Sequence, residues 1–127
     1  AGAGMIGEIS EEMEAISFLK SLKINIKTEI IRHTNTVNKT IKKVAICGGA
    51  GSFLLEDAKR AGADVFITGD FKYHQFFDAE NRIVIADIGH FESEQFTSKR
   101  IGAVLMKKFP NFAIHLTEVN TNPINYF

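Results

Sequence analysis

Val44-Ala45-Ile46-Cys47 runs straight into Gly48-Gly49-Ala50-Gly51-Ser52, and the chain repeats that pattern twice more. Val65-Phe66-Ile67 leads into Thr68-Gly69-Asp70, and Ile83-Val84-Ile85 leads through Asp87 into Gly89-His90. Apolar runs without polar alternation, separated by helical segments, indicate parallel strands buried on both faces. The predicted class is therefore α/β, a mixed, largely parallel sheet with helices on both faces. In such a sheet the parallel strands end on one edge, and ligands bind along that edge.

The stretches between these runs read as crossover helices. Leu54, Leu55, Ala58 and Ala61 keep helical spacing, and Gly62 stops the first helix. The second, about 72–80, buries some of Phe71, Phe76, Phe77 and Ala79. Nearer the start, Ser10 is placed to cap a helix with Glu11 and Glu12 in its first turn. Ala15, Phe18, Leu19 and Leu22 then form its apolar face. Gly2-Ala3-Gly4-Met5-Ile6-Gly7 fits G-x-G-x-x-G, but a dinucleotide fingerprint needs a preceding strand and none fits, so it reads as a flexible entry into a first strand. From residue 30 to residue 55 no acidic side chain occurs, while Arg32, Lys39, Lys42 and Lys43 do. That segment reads as a solvated hairpin or loop, with a small anion-binding edge as the alternative. Beyond Glu94 a helix is expected to about Lys108, then a strand over 112–116 whose His115 points outward or serves the structure.

At 127 residues, 45% apolar and 24% charged, the chain fits one domain of ordinary soluble composition. Lys+Arg and Asp+Glu number 15 each, and this balance argues against a general nucleic-acid binder. No apolar run is long enough to span a bilayer, and no signal peptide opens the sequence. The lone Cys47 suits a reducing compartment, so the expectation is a cytoplasmic domain. The start at Ala1-Gly2 without an initiator Met suggests a fragment or a trimmed chain.

The polar residues gather at the expected ligand edge. Amides of the 48–52 turn, followed by a helix beginning near Ser52, suit an anion such as phosphate. Asp70 and His74 stand four residues apart, then come Asp87 and the run Gly89-His90-Phe91-Glu92-Ser93-Glu94. If a helix begins near Phe91, His90 and Glu94 project from one face, and an imidazole nitrogen and a carboxylate oxygen converge on one cation. The alternative is a histidine at a strand end with solvated glutamates at a helix N-terminus. Two such pairs on one edge point to a metal or acid–base site.

Taken together, Gly48 to Ser52, Gly62-Ala63-Asp64, Ile67-Thr68-Gly69-Asp70 with Tyr73-His74, and Gly89-His90-Phe91-Glu92-Ser93-Glu94 resemble the NIF-three-like dinuclear metal-centre proteins. Many members of that family carry the name GTP cyclohydrolase 1 type 2 homologue. The opening glycines and the closing Thr121-Asn122-Pro123 also look like the family's second half. The resemblance implies one lobe (residues 1–127) of a two-lobed protein holding two divalent metal ions, zinc, manganese or iron, between its halves. It implies His90 and Glu94 as metal ligands, and Asp70 and His74 as residues that orient water or move protons. It further implies a hexameric ring of subunits and a small-molecule substrate, a phosphoester or nucleotide attacked by metal-dependent hydrolysis. The competing implication is a binding or regulatory protein whose metals only hold its halves together. The family's first half supplies a His-His pair and an aspartate that nothing here matches, so the resemblance is to the C-terminal half alone.

Overall fold

Three apolar runs become the middle of a six-stranded sheet because each can be covered on both faces. The computed structural model describes residues 4–89, 103 and 113–117. In chain order these form β1 (Gly4–Glu14), α1 (Ala15–Ile26), β2 (Arg32–His33), β3 (Thr40–Ala50), α2 (Leu55–Arg60), β4 (Val65–Gly69), β5 (Val84–Asp87) and β6 (Ala113–Thr117). A 3-10 turn, Ser52–Leu54, precedes α2, and a 3-10 segment, Tyr73–Ala79, links β4 to β5. The strand order is β2-β5-β4-β3-β1-β6. β3, β4 and β5 are mutually parallel. β1 runs antiparallel to both β3 and β6, and β2 antiparallel to β5.

Strand alternation divides the core in two. Val44, Ile46, Val65, Ile67, Val84 and Ala86 face α1, which presents Ala15, Phe18, Leu19, Leu22 and Ile26. Ala45, Cys47, Phe66, Ile83 and Ile85 face the opposite way, against Leu54, Leu55, Ala58, Phe71 and Ala79. Both parallel crossovers step across the sheet in the same direction, so their helical segments lie on the same face. Among the described residues, α1 covers the other face, on its way from β1 to the far edge strand β2. Each fully buried Leu, Ile or Phe here contributes roughly 1.5–3 kcal/mol through removal from water.

Three local expectations are corrected. Ser10, Glu11 and Glu12 lie in β1 rather than at a helix start, because the strand resumes pairing at Met13 with Ile41 after a register shift. α1 begins at Ala15, its cap residue Glu14 makes no side-chain bond, and the Ala15 amide donates instead to the Lys39 carbonyl. The second crossover is a 3-10 segment, not an α-helix. No hairpin joins β2 to β3, which have β5 and β4 between them. Among the described residues, no helix is long and apolar enough to cross a membrane.

Candidate functional site

Because β3, β4 and β5 are parallel, their carboxyl ends share one rim, with Ala50 registered to Gly69 and Thr68 to Asp87. Two buried polar side chains organise it. Thr68 Oγ1 accepts from the Gly51 amide at 3.0 Å and donates to the Gly49 carbonyl at 3.0 Å, tying the glycine corner of β3 to β4. Gly49 turns the chain with φ +74°. At Gly51 a Cβ would lie 2.4 Å from Thr68 Oγ1 and 2.8 Å from Cys47 Cβ, so only glycine fits that approach. At this turn the Gly51 amide is already bonded to Thr68, and the helical turn that begins at Ser52 is 3-10, with the α-helix following from Leu55.

Asp87 is the second organiser. Sequence alone placed it among the polar groups lining the rim, yet it is 1% exposed. Its Oδ2 accepts from the Phe71 amide at 2.9 Å and from Arg32 Nη2, and its Oδ1 accepts from the Gly89 amide at 2.8 Å. Arg32 Nη2 also donates to the Phe71 carbonyl at 2.7 Å, and its guanidinium carbon sits 5.3 Å from the centre of the Phe76 ring. A buried carboxylate without such partners would be strongly unfavourable. Thr28 Oγ1 donates toward the carbonyls of Ile30 and Ile88, and the Ile88 amide donates to the Thr68 carbonyl at 2.9 Å. β5 is thus tied on both sides just before Gly89, whose φ of +100° turns the chain toward residue 90.

The remaining cations of the acid-free stretch serve the fold. Lys39, Lys42 and Lys43 direct their ammonium groups onto the carbonyls of Asn81, Ser10 and Ala61. Lys59, equally unheralded, is buried beneath the 3-10 segment. Its Nζ donates to Glu80 Oε1 and to the Asp78 carbonyl. That bond to Glu80 raises the lysine's pKa and lowers the glutamate's. Burial pushes the Cys47 thiol up to about 11, which makes it a poor nucleophile.

Asp70 follows β4 in the left-handed conformation, φ +58°, and is exposed; His74 is exposed in the first turn of the 3-10 segment. Asp70 precedes that segment, so the two are not related as neighbours on an α-helical face. His90 and Glu94 themselves lie outside the described residues, as does the helix expected beyond them except for Ala103, which is helical. His115 pairs with Ile6 in β6. Among the described residues, no three His, Cys, Asp or Glu side chains gather closely enough to hold a metal ion. A cavity of about 240 Å3 opens beside Thr28, Arg32, Asp87 and Gly89. A larger groove of about 590 Å3 runs from Arg32 past His33 to Tyr73, Phe76 and Phe77. The Asp87 clamp was missed in the sequence; the one local sign is an ionisable residue inside an otherwise apolar run, which has to find a partner but does not say which.

A parallel-centred α/β sheet with its polar organisers along one rim defines the class of protein: a scaffold that offers ligand-facing loops at its strand ends. The family model described as Duf34/NIF3 (NGG1p interacting factor 3) matches residues 1–123, and the chain belongs to that family. It is 36% identical over 130 residues to a Staphylococcus epidermidis protein named GTP cyclohydrolase 1 type 2 homolog, covering 98% of this chain and 35% of that one. A Campylobacter jejuni protein of the same name is 38% identical over 122 residues, covering 94% of this chain and 47% of that one. Among solved structures, a Bacillus cereus protein related to NIF3 aligns with a TM-score of 0.66 at 30% identity, over 96% of this chain and 35% of that one. A Staphylococcus aureus protein aligns with a TM-score of 0.67 at 29% identity, over 98% of this chain and 42% of that one. The chain therefore spans about a third to a half of the length of these relatives.

Proposed function

We propose that this chain supplies one side of a dinuclear metal centre in a longer cytoplasmic protein, a metal-dependent hydrolase acting on a phosphoester or nucleotide-type substrate. His90 and Glu94 are the ligands this chain contributes, and Asp70 and His74 orient water or move protons. The observation that carries the reading is the shared rim. The segment bearing Asp70 and the turn leading to His90 leave adjacent parallel strands, and one buried carboxylate holds both. An imidazole and a carboxylate suit zinc, manganese or iron in donor type. In number they fall short of the three protein ligands of a catalytic zinc, so the rest of the protein supplies the others. When bound, such ions act as Lewis acids and lower the pKa of a bound water. Asp70 and His74 are both exposed and open to a substrate. The relatives' name implies attack on a purine ring carbon, a narrower substrate choice than these residues require. Assembly into a hexameric ring belongs to the same proposal.

A second reading, a binding or regulatory protein with metals as a brace, draws support from exposed aromatics. Tyr73 is 79% exposed and Phe77 67%, and they pack edge to face beside the larger groove. One experiment separates the two readings. The whole protein, loaded in turn with zinc, manganese and iron, is assayed against phosphoesters and nucleotides. Turnover abolished by His90→Ala or Glu94→Ala supports the hydrolase; an intact assembly that turns over nothing supports the binding role.

A further inference from the structure

We infer that Asp87 is a positioning residue that sets the two arms of the proposed half-site relative to each other; this rests on the function proposed above. The two oxygens of one carboxylate are divided between the arms. Oδ2 takes the amide of Phe71, the residue after Asp70, and Oδ1 takes the amide of Gly89, the residue before His90. Both donors are backbone amides, so the bonds fix where the chain runs on each side and not merely one rotamer. Arg32 completes the junction from the edge strand: it meets Oδ2 and the Phe71 carbonyl with the same nitrogen, which keeps the carboxyl group turned toward both amides. Asp87 is 1% exposed, so little solvent reaches the carboxyl group that accepts these bonds. Gly89 needs such a hold because glycine, lacking a Cβ, does not by itself restrict its backbone to the φ of +100° found here. The carboxylate touches no reacting group. Its effect reaches the site through the backbone at residues 70–71 and 88–89.

Nuclear magnetic resonance on this chain tests the inference. In the unaltered protein, through-hydrogen-bond couplings are expected from both the Phe71 and the Gly89 amide nitrogens to the Asp87 side-chain carboxyl carbon. This measurement requires no variant to fold. In Asp87→Asn, amide resonances of residues 70–74 and 88–94 are expected to shift together. The zinc concentration giving half of the perturbation at residues 88–94 should rise on the order of ten-fold, the usual loss when a ligand's support is removed. Val65→Ala, a core truncation away from the clamp, is the control: it lowers stability without moving that zinc midpoint. Coupling from one amide alone, or a zinc midpoint unchanged in Asp87→Asn, overturns the inference. If zinc perturbs nothing at residues 88–94 in the unaltered chain, metal binding needs the ligands of the whole protein, and the two couplings with the joint shift still decide whether Asp87 joins the arms.

Discussion

The Arg32 guanidinium on edge strand β2 closes over the Asp87 carboxylate at the end of β5, 55 positions further along the chain. One partner is fully buried and the other is 56% exposed at the side chain. Removing one member of a fully buried pair costs about 3–5 kcal/mol because the other charge is stranded. Partial exposure of Arg32 screens this pair, so Arg32→Met should lower stability by about 2 kcal/mol in urea unfolding. Arg32→Lys should recover only part of the loss, since lysine keeps the charge without the planar donor group. Arg60 and Asp57, both largely exposed, provide the contrast: Arg60→Met should change stability by less than about 0.5 kcal/mol. Equal losses from the two Met variants would mean that Arg32 is only a surface cation.

Thr68 and Gly51 make the second prediction. Thr68→Val keeps the shape but strands the Gly51 amide and frees the Gly49 carbonyl, for an expected loss of about 1–3 kcal/mol. Gly51→Ala forces its Cβ against Thr68 and Cys47 and should destabilise by a similar ~1–3 kcal/mol. Both substitutions act on the same contact, so the double variant should lose less than the sum of the two. Strict additivity in denaturant unfolding would contradict the coupling.

Cys47 gives a prediction in pH. Its thiol titrates near about 11 in the folded protein against 9.0 without burial. Below 9.0 the thiol is neutral in both states and its contribution is fully present. As pH rises from 9.0 toward 11 the unfolded thiolate forms first, so stability should fall by about 2 kcal/mol across that window. Cys47→Ala should flatten this part of the stability profile. The same burial should make alkylation of Cys47 slow at pH 8 until denaturant unfolds the chain; rapid alkylation of native protein would contradict it.

How much of this was legible in the sequence depended on the range of the interactions involved. Val44 to Cys47, Val65 to Ile67 and Ile83 to Ile85 announced the parallel centre because burial on both faces leaves no polar alternation. The face of α1 was equally plain from Ala15, Phe18, Leu19 and Leu22. The end of β1 was hidden because Ser10, Glu11 and Glu12 are exposed strand residues with the composition of a helix start. β2 has two residues, too few for any period. The 3-10 segment was mistaken for a helix because its aromatic side chains, Tyr73, Phe76 and Phe77, satisfy either spacing. At the site, the rim could be inferred from strands ending in glycine. The clamp could not, since nothing local links Arg32 to Asp87 or Thr28 to the Ile88 carbonyl across 60 positions.

We propose that His90 and Glu94 extend from this rim to hold a metal ion. Anomalous diffraction at the zinc edge, from crystals of the whole protein grown with zinc, tests it most directly. A peak is expected about 2.0–2.2 Å from a ring nitrogen of His90 and from a carboxylate oxygen of Glu94, on the rim that carries Asp70 and His74. Side chains of residues 90 and 94 directed apart, or a peak bound only elsewhere, would contradict it.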